Sequence, residues 1–145
     1  MNDKCLDCGA VLRDGQPCDT YFHQMLFWEN EEPANGHVHH LMVLCYHLQH
    51  PALYSPEGLA YAHQMLKKFV LEGESPAQVR QEAKWEVASD NRLWNIKGTA
   101  ESHGFYPVPI TWHMTASDVV AGGIGCYCQN VQIWAATVQE QLKVV

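Results

Sequence analysis

The hydrophobic and polar positions between residues 18 and 88 follow a helical period rather than the alternation of a strand. The histidine-rich stretch HVHHLMVLCYHLQH, at residues 37–50, shows this pattern clearly. Its apolar side chains recur at intervals of three and four residues, which places them on one face of a helix. The predicted core stripe of this helix consists of Leu41, Leu44, Cys45 and Leu48.

Capping and breaking residues divide this half of the chain into four predicted helices. Ser55 and Ser75 each precede a proline, as an N-cap precedes the first helical residue, and Gln78 completes a capping box. Pro51 and Gly73 mark helix ends. The predicted helices cover residues 18–32, 36–50, 56–72 and 75–88.

The second half of the chain begins with residues 89–114, which are polar, contain glycine and proline and show no period, so we expect a loop. A capping signal at Thr115 and Asp118 opens a short helix. The glycines of residues 122–125 interrupt the chain before a last helix, from about Tyr127 to Leu142. These elements predict an all-α fold, a bundle of five or six helices whose neighbours pack antiparallel because the connections are short.

Length and charge narrow the class of protein. A chain of 145 residues is expected to form one domain. We divide it into a cysteine-rich segment, helical hairpins, a loop-rich segment and C-terminal helices, at residues 1–18, 18–88, 89–114 and 115–145. The net charge of −7, without a basic stripe, argues against nucleic-acid binding.

The chain also lacks the features of a membrane or secreted protein. No apolar run approaches the roughly 20 residues that cross a membrane. The first residues, MNDKCLDCGA, have neither the basic start nor the apolar core of a secretory signal. We therefore expect a cytoplasmic protein with no membrane partner.

The cysteine-rich segment predicts a zinc knuckle. Cys5 and Cys8 are separated by two residues and followed by glycine, a spacing that lets both sulfurs reach one ion. Cys18 is a third thiol. If the first two helices form an antiparallel hairpin, Cys18 lies beside the end of the second helix, which carries His47 and His50. We favour His50 as the fourth ligand because it lies at the helix terminus, where the chain can bend toward the knuckle.

The remaining histidines allow a second site. His39 and His50 lie about 16 Å apart along the helix axis, so they cannot bind the same ion. His63 on the next helix falls level with about residue 43, within reach of His39 or His40. Such facing histidines resemble the ligand sets of helical bundles. Glu29, Glu31 and Glu32, at the end of the first helix, are interpreted as a solvated edge.

The sequence resembles a family of short, uncharacterised bacterial proteins, a domain of unknown function. That family combines a Cys-x-x-Cys-Gly start with a helix of the form H-x-L-T-V-x-x-Y-x-x-Q-H-P. Met42 stands where the pattern has threonine, a position outside the proposed ligands. The resemblance supports the ligand set and implies no reaction. The matching positions are Cys5, Cys8, Gly9, Cys18, His39, Leu41, Val43, Tyr46, Gln49, His50 and Pro51, with His63 matching a histidine of a later helix.

Two functions are compatible with these residues. The first is a helical protein with a structural zinc ion in a Cys₃His site, acting as a domain that binds a small molecule or another protein. The second is a metal-dependent hydrolase or transferase whose working ion is held by His39, His63 and a third group, with an open position for water. The sequence contains no complete catalytic motif of a known class. We therefore favour the first function and leave open whether the protein is an enzyme.

Overall fold

The computed structural model describes residues 4–13, 15–73, 75, 78, 81 and 97–143. Within these residues the regular structure is helical, as the sequence predicts. The described residues also form two isolated antiparallel β-bridges, which join Lys4 to Val11 and Tyr54 to Lys97. Short 3₁₀ helices cover Pro33–Val38, Pro51–Leu53 and Ile124–Cys126. The α-helices described here are α1 (Asp19–Glu31), α2 (His39–Leu48), α3 (Pro56–Glu72), α4 (Ala116–Ala121) and α5 (Tyr127–Leu142).

The local capping signals are confirmed. The Ser55 side chain accepts a hydrogen bond from the Gly58 amide at the start of α3, and Gly73 ends that helix in the left-handed conformation, with φ of 71°. Thr115 and Asp118 form the reciprocal capping box of α4. Because each cap satisfies backbone groups that the helix leaves without partners, these boundaries are fixed by a few neighbouring residues.

Ser75 and Gln78 form the other predicted capping box. Each backbone amide of this pair donates to the other residue's side chain, at 2.9 and 3.2 Å. Most of the predicted helix that follows, to Ala88, and the first eight residues of the expected loop, 89–96, lie outside the described residues. The remainder of that loop, residues 97–114, is described.

The start of the histidine helix differs from the prediction. We expected one helix over residues 36–50, but residues 33–38 form a 3₁₀ helix and α2 begins only at His39. Pro33 at the start of the 3₁₀ helix has a fixed φ and no N–H, which suits a helix's first turn. At the other end, His50 leaves the helical conformation, with φ of −130° and ψ of 66°, because Pro51 disfavours helical backbone before it.

Helices α1 and α2 form the antiparallel hairpin that the short connection predicts. At one end, Glu29 near the end of α1 lies 2.6 Å from His39 at the start of α2. At the other end, ligand atoms of Cys18, just before α1, and of His50, just after α2, lie within 4.8 Å of each other. Contacts at both ends of the hairpin fix the relative direction of the two helices.

The core lies between α2, α3 and α5, with α4 packed against α1 and α5. The predicted stripe of α2 is buried at all four positions, and Met42 and Tyr46 on its other faces are buried as well. Trp134 of α5 is fully buried, and its indole N–H donates to the Met114 carbonyl at 3.1 Å. Helix α2 is therefore enclosed on several sides, which is more burial than an amphipathic stripe predicts.

Residues 97–114 form no helix or strand apart from the isolated bridge at Lys97. The Gly98 and Gly104 amides donate to the carbonyls of Leu53 and Tyr54, at 3.1 and 2.8 Å. A Cβ atom on Gly98 would lie 2.4 Å from the Ala52 carbonyl oxygen, so only glycine permits this approach. Within the described part of the chain, no helix is both long enough and apolar enough to span a membrane.

Candidate metal centre

The turn at residues 5–10 is built around its glycine. Gly9 has φ of 81°, a backbone conformation that side chains other than glycine rarely adopt. The Gly9 amide donates to the Cys5 carbonyl at 2.9 Å, and the Cys5 amide donates to the Ala10 carbonyl at the same distance. The Ala10 amide donates to the Cys8 sulfur at 3.4 Å. The turn therefore holds Cys5 and Cys8 close together and directs a backbone N–H at a thiol.

Four side chains meet at this turn. One ligand atom from each of Cys5, Cys8, Cys18 and His50 lies within 4.8 Å of all the others. The Cys8 and Cys18 sulfurs are 3.6 Å apart, and the Cys5 sulfur is 3.6 Å from Nε2 of His50. Three of the four residues are buried, and Cys5 is half-buried. The predicted convergence of these residues is confirmed.

These distances fit a tetrahedral ion. With zinc–sulfur bonds of about 2.3 Å, two sulfurs on one tetrahedron lie about 3.8 Å apart, and a sulfur and a nitrogen lie slightly closer. The two short separations, both 3.6 Å, match those edges closely, and the longest separation of 4.8 Å requires a movement of about 1 Å. None of the six cysteines is in a disulfide.

The imidazole of His50 is oriented by its backbone and by an aromatic ring. Its Nδ1 lies 2.6 Å from the Tyr46 carbonyl oxygen, so Nδ1 carries the proton and donates it. The Tyr46 ring stacks on the imidazole at 4.2 Å between centroids. Nε2 is therefore the ring atom that faces the thiols, and once its proton is displaced it can bind an ion, which is the arrangement that a metal-binding histidine requires.

The surroundings change the acidity of these groups. The hydrogen bond with Cys18 and burial together raise the pKa of Cys8 to about 12. Burial lowers the pKa of His50, but its contacts with Cys8, the Tyr46 carbonyl and Cys5 offset this and raise it to about 9. A metal ion would replace the shared protons of this cluster, because thiolate and neutral imidazole are the ligand forms.

His47, the other histidine considered for this site, lies outside the cluster. Its Nδ1 is 2.9 Å from the Val43 carbonyl, and its ring packs against Tyr54 at 5.1 Å. Burial lowers the pKa of His47. The three-residue step from His47 to His50 therefore separates a packed core histidine from the one that faces the thiols.

His39 and His63, the predicted second pair, have different surroundings. Nδ1 of His39 lies 2.6 Å from a Glu29 carboxylate oxygen. Nε2 of His63 is buried and has no hydrogen-bond partner within the described part of the chain. Among the described residues, neither histidine belongs to a group of three or more metal ligands. His40 also makes a contact within the structure.

Glu29 is a residue whose role the sequence does not indicate. Only 8% of its side-chain surface is exposed, whereas Glu31 and Glu32 lie at the surface as expected for a solvated edge. The prediction for Glu29 is therefore wrong, because its carboxylate accepts hydrogen bonds from His39 and from the Tyr127 hydroxyl. Tyr127 is 98 residues further along the chain, so no local pattern connects the pair.

The fold and the cluster define the class as a helical protein with a Cys₃His constellation suited to a metal ion. The chain belongs to a family of unknown function, DUF5946, which it matches over residues 3–143. The expectation of an uncharacterised family is therefore confirmed. No curated protein and no solved structure matches the chain.

Proposed function

We propose that the protein is a zinc-binding helical domain in which Cys5, Cys8, Cys18 and His50 hold a structural ion. The observation that carries this proposal is the convergence of four ligand atoms, from segments up to 45 residues apart, within 4.8 Å. Mixed thiolate and imidazole ligands in tetrahedral geometry favour zinc over magnesium or calcium, which prefer oxygen ligands.

A structural role follows from the number of protein ligands. A catalytic zinc ion has three protein ligands and leaves its fourth position to water or substrate, whereas structural sites use four. The four side chains of this cluster fill a tetrahedral site, and three of them are buried. The ion would connect the N-terminal turn to the start of α1 and the end of α2, and would thereby fix the hairpin.

We further propose that this domain binds a small molecule or another protein in the cytoplasm, rather than nucleic acid or a membrane. A cleft of about 530 Å³ between residues 107–110 and the end of α5 supports binding. Val108 lines this cleft and is 71% exposed. Six thiols without a disulfide suit a reducing compartment, and the net charge of −7 does not favour phosphate binding.

Metal analysis of protein purified without an affinity tag tests the proposed site. The wild-type protein should contain about one zinc ion per chain. Cys8→Ser should lose most of this zinc, because a serine hydroxyl is a far poorer ligand than a thiolate. His63→Ala is the control, since His63 is outside the cluster, and it should retain the ion.

The outcome also separates the two functions considered from the sequence. Wild-type protein without any tightly bound metal would overturn the proposal. A second ion that is lost in His63→Ala would instead indicate the nitrogen-rich site of a metal-dependent enzyme. X-ray absorption should show three sulfur ligands and one nitrogen ligand in the wild type.

A further inference from the structure

A chain of hydrogen bonds joins three helices on the side of the hairpin away from the cysteines. The Tyr127 hydroxyl at the start of α5 donates to Oε2 of Glu29, near the end of α1. Oε1 of Glu29 lies 2.6 Å from Nδ1 of His39, the first residue of α2. Tyr127 is fully buried and 8% of the Glu29 side chain is exposed, whereas 33% of the His39 side chain is exposed.

The order of donors and acceptors fixes the tautomer of His39. Burial and Glu29 both raise the pKa of Tyr127, so its hydroxyl keeps its proton and donates it. Glu29 then accepts on both oxygens, and Nδ1 of His39 must be a donor. Nε2 is therefore left with a lone pair, and it has no hydrogen bond among the described residues. Nε2 of His39 is therefore the hydrogen-bond acceptor at the exposed end of the series Tyr127–Glu29–His39.

His39 lines an open surface cleft of about 520 Å³. One part of the wall is apolar and contains Leu26 and Phe27, whose side chain is more than half exposed. The polar part contains His23, Glu29, Asn30 and His39. The cleft therefore offers a surface for an aromatic ring beside a hydrogen-bond acceptor.

We propose that this cleft binds small molecules that carry a weakly acidic hydroxyl on an apolar ring, and that His39 accepts the hydroxyl proton. In this step the ligand O–H bond breaks, an N–H bond forms at Nε2, and the ligand keeps the negative charge. The imidazolium that results lies against the Glu29 carboxylate, which stabilises it, as a buried carboxylate does for a histidine base in hydrolases. The ligand recovers the proton by the reverse step.

The tautomer provides a test that needs no substitution. Nitrogen-15 NMR of the wild-type protein, recorded under conditions in which the His39 ring is neutral, should show its proton on Nδ1 and an unprotonated Nε2. An Nε2–H tautomer would overturn the proposal, because that nitrogen would then be unable to accept a proton.

Chemical modification tests the base and the ligand together. Diethyl pyrocarbonate acylates unprotonated imidazole, and peptide mass spectrometry resolves the rate at each histidine. At a pH at which the ring is neutral in both proteins, Glu29→Gln should slow the modification of His39 several-fold, because the carboxylate that accepts from Nδ1–H and makes Nε2 more nucleophilic is lost while the shape of the side chain is preserved. Glu31→Gln removes an equal charge from the exposed face of α1 and should have no effect.

Phenol, in excess, should slow the modification of His39 and leave exposed His37 unaffected. If phenol protects neither residue, or both equally, the proposed ligand class is wrong. If Glu29→Gln and Glu31→Gln react alike while circular dichroism shows both folded, Glu29 only ties the helices together and the proposal fails. None of these measurements depends on zinc at the cysteine cluster, so their failure is distinct from failure of the proposed metal site.

Discussion

His47 and His50 lie three residues apart in the sequence, yet each imidazole has a different set of neighbours. His50 directs Nε2 at the thiols because its Nδ1 donates to the Tyr46 carbonyl, whereas His47 bonds to Val43 and packs on Tyr54. We expect His50→Gln to lower the bound zinc at least tenfold, since one of four ligands is lost. His47→Gln should retain it. Metal analysis of the two variants provides the comparison, and equal zinc loss in both would contradict our assignment of the fourth ligand.

His63 provides a prediction on pH. Burial and Lys67 lower the pKa of His63 below 6.5, and its buried Nε2 has no hydrogen-bond partner among the residues that the structure describes. Between the lowered value and 6.5 the unfolded chain binds more protons than the folded chain, so stability decreases as the pH falls through this range. We expect His63→Gln to lose less stability than the wild type when urea unfolding at about pH 7.5 is compared with about pH 5.5.

His37→Gln, which removes an exposed imidazole, is the matched control for this measurement. It should follow the wild type at both pH values. If His63→Gln and His37→Gln behave identically, the buried position of His63 does not contribute to the acid sensitivity of the fold.

At the scale of elements, the end of α3 depends on one residue. Gly73 adopts φ of 71°, and a side chain there would meet no neighbouring atom, so the effect of substitution is conformational rather than steric. Gly73→Ala should lower the free energy of unfolding by about 1 kcal/mol, because alanine disfavours the left-handed region. Gly125→Ala is the control, since Gly125 is also open but lacks a positive φ, and it should change stability less. Urea midpoints measure both, and equal losses would contradict this account.

At the scale of the whole molecule, a metal ion would link segments that lie far apart in the sequence. The unfolded chain does not hold Cys5, Cys8, Cys18 and His50 together, so the ion binds the folded state preferentially. Free zinc at one hundred times Kd would stabilise this state by about 2.7 kcal/mol. We therefore expect a chelator to lower the thermal midpoint of the wild type by about 5 °C or more.

The Cys8→Ser variant separates metal loss from other effects of the chelator. The thermal midpoint of this variant should be lower than that of the wild type without chelator, and the chelator should not lower it further. An unchanged wild-type midpoint would show that no ion contributes to stability, whatever the distances among the thiols.

Helix boundaries could be predicted where they depend on neighbouring residues. Ser55, Gly73 and Thr115 act within one turn of chain, so their positions in the sequence are sufficient. The start of α2 was predicted three residues too early, because the sequence does not distinguish a 3₁₀ turn after Pro33 from the first turn of an α-helix. Burial on several sides of α2 also exceeded the prediction, since it depends on the packing of α3 and α5.

The two candidate sites also differ in how far the sequence predicts them. The Cys-x-x-Cys-Gly turn and the antiparallel hairpin were sufficient to bring His50 to the thiols, because chain length and connection length limit where helix ends can lie. The sequence by itself thus determined the helical class and the three thiols of the cysteine cluster, and it favoured His50 over His47 as the fourth member. The tertiary structure alone decided that Glu29 is buried between His39 and Tyr127. That arrangement depends on how α1, α2 and α5 pack, and side-chain contacts across separate helices leave no periodic pattern in the sequence.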